Sequence, residues 1–197
     1  RRRRPNARDD IHGLLPVDKP RGCTSHDVVD RVRRRFNLRK VGHGGTLDPM
    51  ATGLLVLLLG RATKLSERVM NGDKTYEGVF RLGVATSTQD AEGEVVEERD
   101  PSAVSEDRLR TEMQRWTGDV MQTPPMMSAV KRNGVPLYKL ARKGKEVPRE
   151  PRLLHVYEFS LRAFDPPCVS FKLRSTKGTY VRTLCADVGE ALGCGAY

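Results

Sequence analysis

The chain has 197 residues, of which 38% are apolar and 30% charged, with 35 Lys/Arg against 25 Asp/Glu and a formal net charge of +10. That length is enough for one domain with a substantial core, and no apolar run approaches the length of a membrane span. A pI near 9.8 favours a polyanionic partner.

The charge is uneven. Residues 1–40 hold 13 Lys/Arg against 5 Asp, residues 131–152 hold 8 basic against 2 acidic side chains, and residues 85–112 hold 3 against 9. Two basic stretches and one acidic stretch suggest one face for nucleic acid and another for water. The cysteines, Cys23, Cys168, Cys185 and Cys194, form no Cys-x-x-Cys and no zinc-ligand spacing. They read as reduced thiols in a cytosol-like compartment, and no metal is expected. No signal peptide is visible, since no apolar core follows Arg1–Arg4.

In chain order, residues 1–10 read as a basic disordered tail. Gly13 to Pro20 reads as a short strand ending in a proline turn. Thr24 or Ser25 caps a helix running to about Phe36, with Val28, Val29 and Val32 on one face. Leu54 to Leu59 is apolar throughout and predicts a central strand. A short helix is expected over Ala62 to Met70, a turn at Asn71-Gly72, and an alternating strand over Thr75 to Gly83. Residues 86–103 read as an exposed acidic loop with a short strand at Glu94 to Glu97.

Ser105 caps a helix through Trp116, ended by Gly118. Ser128 to Gly134 predicts a strand and an Asn-Gly turn, and Tyr138 to Arg142 one helical turn. Leu153 to Ala163 and Val169 to Arg174 predict a hairpin through Asp165-Pro166-Pro167. After a loop at Ser175 to Thr179, a helix is expected over Tyr180 to Leu192, stopped by Gly193. Strands outnumber helices without β-α-β alternation, so the class is α+β around a mixed or antiparallel sheet.

The most informative stretch is Gly42-His43-Gly44-Gly45-Thr46-Leu47-Asp48-Pro49-Met50-Ala51-Thr52-Gly53. One acid sits among glycines, a histidine and a proline, ahead of the apolar run. Asp-Pro is commonly a turn starter, and no Gly-Lys-Ser/Thr follows that would make a phosphate loop. As a whole, however, the string resembles the catalytic motif of the TruB family of tRNA pseudouridine synthases. Four further motifs agree in order: Gly13 to Pro20 with Thr24-Ser25-His26-Asp27, Lys74-Thr75-Tyr76, Pro125 to Arg142, and Ser175 to Gly195.

The resemblance implies a pseudouridine synthase fold, a long, mostly antiparallel sheet with flanking helices and a central active-site cleft. It implies a catalytic domain over residues 11–197 with an RNA-gripping insertion at about 124–152, and a C-terminal remainder of the family that this chain lacks. At matching positions it makes Asp48 the catalytic aspartate, Tyr76 the tyrosine against the target base and Arg182 the partner of the aspartate. Tyr180 then lines the pocket, His43 lies beside the flipped base, and Lys19 lies in a motif near the site. Lys131, Arg132, Arg142, Lys143 and Lys145 become candidates for contact with the RNA backbone. The implied activity is isomerisation of the T-loop uridine, position 55, of tRNA, by a cytoplasmic monomer that needs no cofactor. His12, His26 and His155 are read as structural. Two alternatives are a guide-RNA-dependent relative of the dyskerin type and a tRNA-binding module without catalysis.

Overall fold

The computed structural model describes residues 7–197, which pack as two units, one through Gly72 and one over Asp73–Tyr197. In the first, the elements are β1 (Gly13–Lys19), α1 (Ser25–Arg35), β2 (Val41–His43), β3 (Gly53–Leu59), a 3-10 turn (Gly60–Leu65) and α2 (Ser66–Met70). The strands form an antiparallel sheet in the order β1-β3-β2, so β3 is central, as its apolar sequence predicts. β1 lies at the edge, where Pro16 costs no ladder hydrogen bond. Val28 and Val29 of α1 close over Leu55 and Leu57, joined by Leu15, Val17 and Val32. Leu54 stays exposed at the strand's start.

α1 starts at a complete capping box. The Thr24 hydroxyl accepts from the Asp27 amide, and the Asp27 carboxylate accepts from the Thr24 amide at 2.8 Å. Of its arginines, Arg31, Arg34 and Arg35 are exposed and Arg33 pairs with Asp30 at 3.0 Å. The expected helix over 62–70 divides into the 3-10 turn and α2. Residues 1–6 of the expected tail lie outside the described residues. Arg8, assigned to that tail, is held instead: its amide donates to the Asn37 carbonyl at 2.7 Å, and it bridges Leu38 in parallel.

The second unit contains β4 (Lys74–Arg81), β5 (Val84–Thr86), β6 (Val95–Glu98), α3 (Glu106–Arg115), β7 (Gly118–Gln122), β8 (Lys131–Arg132), β9 (Val135–Pro136), α4 (Leu137–Ala141), β10 (Arg152–Asp165), β11 (Cys168–Ser175) and α5 (Val181–Ala191). Its main sheet is antiparallel, in the order β4-β11-β10-β7. Phe80, Val156, Phe159, Phe171 and Leu173 pack with Leu109 and Met113 of α3 and with Leu184 and Val188 of α5. Gly78 faces Phe171 across β4 and β11, and a Cβ there would meet the ring at 2.9 Å. The α+β class therefore holds.

Two expectations in this unit need correction, and one strand went unread. α3 stops before Gly118 as expected, but β7 follows it unforeseen, because only Val120 among its inward residues is apolar and the other, Gln122, hides the alternation. The strand expected over 128–134 is reduced to the two-residue pair β8 and β9 around the Asn-Gly turn. The 86–103 stretch is not wholly exposed: β5 and β6 pair, and Thr86 and Asp90 are buried.

Candidate active site

Asp48 lies in a loop between β2 and β3 that has no regular structure but is tied on both flanks. On one side the Leu47 amide donates to the Ser25 hydroxyl at 2.9 Å, and Ser25 is buried at the start of α1. On the other side the Pro49 carbonyl accepts from the Gly22 amide at 2.8 Å and from the Lys19 ammonium at 3.3 Å. The Asp48 carbonyl accepts from the Ala51 amide at 3.0 Å, closing a tight turn through Pro49. Upstream, a Cβ on Gly44 would come within 2.3 Å of Val69, so this approach to α2 requires glycine. These ties fix the backbone that carries the half-buried carboxylate.

Lys19 is fully buried, and its ammonium donates to the carbonyls of Pro20 (2.9 Å), Cys23 (2.8 Å) and Pro49. A buried ammonium committed to three carbonyls is a tie that positions the Asp48 loop. His43, at the end of β2, directs Nδ1 to the Gly45 carbonyl, which ties the ring to its own loop.

In the second unit, Tyr76 sits mid-strand on β4 opposite Leu173, half-buried against the core. Two residues earlier, burial pulls the Lys74 ammonium below the usual lysine range, against the opposing effect of Asp73. Tyr180 is the N-cap residue of α5 and Arg182 lies in its first turn. The Arg182 guanidinium donates to the carbonyls of Thr88 and, at 3.0 Å, Met127, and its Nε lies 3.5 Å from Asp90 Oδ2. Asp90 is itself fixed, with Oδ1 accepting from the Thr88 hydroxyl and from the Glu92 amide at 3.0 Å.

Asp90 and Gln122 were missed in the sequence. Asp90 sits in the acidic stretch, where its neighbours are solvated glutamates. Its distinguishing signal is the hydroxyl-rich run Thr86-Ser87-Thr88 before it, in which Thr88 donates to the buried carboxylate and Thr86 to the Asp90 carbonyl. Gln122 pairs with the backbone of Tyr180: its amide donates to the Tyr180 carbonyl at 3.1 Å, and its carbonyl accepts the Tyr180 amide at 2.8 Å.

Residues 123–151 leave the sheet at the end of β7 and return at the start of β10, where Gln122 and Arg152 are register partners. Arg149 donates to the Pro124 carbonyl at 3.3 Å and to Glu146 at 2.9 Å, Arg132 donates to the Pro148 carbonyl, and Leu137 is buried. Lys131, Arg132, Arg142, Lys143 and Lys145 are all exposed, with Arg142 over the Tyr138 ring at 5.5 Å. No group of three or more His, Cys, Asp or Glu among the described residues is arranged to hold a metal ion. No described helix is long and apolar enough to cross a membrane.

A model of the TruB family pseudouridylate synthase N-terminal domain matches residues 33–181. The chain belongs to this family. It is 53% identical over 190 residues to a tRNA pseudouridine synthase B of Opitutus terrae, covering 96% of this chain and 79% of that protein. It is 50% identical over 187 residues to the tRNA pseudouridine synthase B of Syntrophotalea carbinolica, spanning 61% of that protein's length. Among solved structures it resembles a chain in a Cbf5-Nop10-Gar1 complex, with a TM-score of 0.72 and 32% identity over 94% of this chain and 46% of that one. Membership in the TruB family agrees with the fold and with the motif that holds Asp48.

Proposed function

We propose that the chain is the catalytic part of an enzyme that converts the T-loop uridine of tRNA, position 55, to pseudouridine. The observation that carries this reading is the Asp48 loop, a carboxylate on a backbone tied by buried groups, in a chain about half identical to proteins named tRNA pseudouridine synthase B. The reaction breaks the N1–C1′ bond, turns the uracil and joins C5 to C1′. The proton on C5 is lost and N1 gains one, so nothing is oxidised or reduced.

A stacked uridine must leave its stack before C1′ and C5 can be reached, at a cost of a few kcal/mol. On this reading Tyr76 and Tyr180 stack on the extruded base, and His43 serves the gap it leaves. Asp48 acts at C1′, as nucleophile, as stabiliser of an electron-poor sugar or by assisting proton removal from the sugar. Arg182 supplies the guanidinium that favours the ionised carboxylate where water is excluded. The exposed basic side chains of 131–145 support a role in gripping the T arm through its phosphates. We place this work in the cytoplasm and assign it to a monomer.

The test is incubation with unmodified tRNA, followed by mapping of pseudouridine. Product at position 55 without added guide RNA or protein supports the reading. Product only with a guide complex would favour the dyskerin-type alternative, and tight binding without product the non-catalytic one.

A further inference from the structure

We infer that Gln122 is a positioning residue that sets the start of α5, and with it the direction of Tyr180 and Arg182; this rests on the function proposed above. Gln122 is buried at the last position of β7. Its side-chain amide makes the reciprocal pair of hydrogen bonds that a neighbouring strand would make, donating to the Tyr180 carbonyl and accepting the Tyr180 amide. Tyr180 needs such a partner. Its backbone is extended at φ −94° and ψ 101°, it is the N-cap residue of α5, and its side chain provides no cap. Its carbonyl already accepts from the Leu184 amide at 3.1 Å, so Gln122 adds a second donor there and satisfies a first-turn amide.

Other contacts grip the same turn. The Thr183 hydroxyl donates to Gln89 at 2.7 Å, and Arg182 reaches Thr88, Asp90 and the Met127 carbonyl. Gln122 differs in holding the backbone, so it fixes where the helix begins rather than one side chain. It also stands where the 123–151 segment departs from the sheet, opposite Arg152 where that segment returns. The segment expected to grip RNA and the turn expected to meet the base are therefore joined at this amide, as they are again where Arg182 reaches the Met127 carbonyl.

The test compares Gln122→Met, which keeps the shape and loses both hydrogen bonds, with Gln122→Glu, whose carboxyl recovers the donor only when protonated. For Gln122→Met the single-turnover rate at saturating tRNA is expected to fall by about 10²-fold, the scale of a misplacement near 1 Å. RNA affinity should stay within about threefold, because the loss falls on the reacting geometry. Hydrogen exchange should show faster exchange at the Tyr180 amide, with the β11 amides still protected. The rate of Gln122→Glu relative to the unsubstituted chain should rise as pH falls from 8 to about 5.5 through a buried carboxyl's range. A wild-type rate or an unchanged Tyr180 amide in a folded Gln122→Met overturns the inference. Should Gln122→Met fail to fold, a flat pH ratio for Gln122→Glu overturns it. If the unsubstituted chain makes no pseudouridine, the functional reading falls, and the Tyr180 amide still decides the role of Gln122.

Discussion

The Asp48 loop and the 123–151 segment are both irregular, and they are held in opposite ways. Around Asp48, backbone is tied on both flanks: the Leu47 amide donates to the buried Ser25 hydroxyl, and the buried Lys19 ammonium and the Gly22 amide donate to the Pro49 carbonyl. In 123–151 the longest element is the five-residue α4, the ties are a few arginine contacts to carbonyls, and the charged groups point to solvent. A group that reacts must be placed to a fraction of an ångström, so its loop is anchored from beneath. A surface that grips phosphates needs charge and reach, and tolerates loose support.

The strongest way to break that contrast is Asp48→Ala. Conversion of tRNA should vanish, while RNA affinity stays within about tenfold, because the carboxylate serves the transition state. Filter binding and pseudouridine mapping on the same preparation check both halves. A parallel collapse of binding would make Asp48 a grip residue and erase the distinction. Next is Lys19→Met, which takes a donor from the carbonyls of Pro20, Cys23 and Pro49, the last of which keeps the Gly22 amide. Stability in urea should fall by about 3 kcal/mol, and the single-turnover rate by about 10²-fold as the loop loses its tie. Unchanged stability would mean that the loop is held elsewhere.

Reversing the charges of Lys143 and Lys145 to Glu should act the other way. Unfolding should move by less than about 0.5 kcal/mol, since both side chains are exposed. RNA binding should weaken, and the slope of log affinity against log salt should flatten by about two. An unaltered slope would remove these lysines from the phosphate contact.

The same contrast explains what could be read from the sequence. Glycine, proline and apolar runs write backbone geometry into local sequence, so β1, α1, β3 and the α5 stop at Gly193 were legible, as was the Asp48 motif through its family resemblance. Long-range polar ties leave no such trace. Lys19 is placed near the site only by the family motif, and only the fold shows its ammonium reaching Pro49, thirty positions away. Gln122 broke the inward apolar pattern and concealed β7, because its partner is the backbone of Tyr180, 58 residues on. Asp90 was submerged in a stretch of solvated acids, although Thr88 and Arg182 hold it in a buried position. In each case the polar group looks like surface because its partner is distant in sequence.

The smallest expected effect concerns an acid on α5 outside both segments. Burial pushes the Asp187 carboxyl up to about 6, with Glu190 adding to the shift. An unfolded aspartate titrates near about 4. Below that value both states hold the proton, and the stability linked to this shift is fully present. Between about 4 and 6 the folded chain keeps a proton that the unfolded chain has lost, so stability drains away as pH rises, levelling off above the folded value. Asp187→Asn copies the protonated form at every pH. Its urea midpoint should match the unsubstituted chain near pH 4 and exceed it near pH 7, with the gap opening between. The difference between the two chains isolates this group from acids such as Asp27 and Glu158, whose hydrogen bonds push their carboxyls down and give the opposite slope. A constant gap across pH would show that the substitution acts through packing rather than through the proton, and would remove Asp187 as a source of pH dependence.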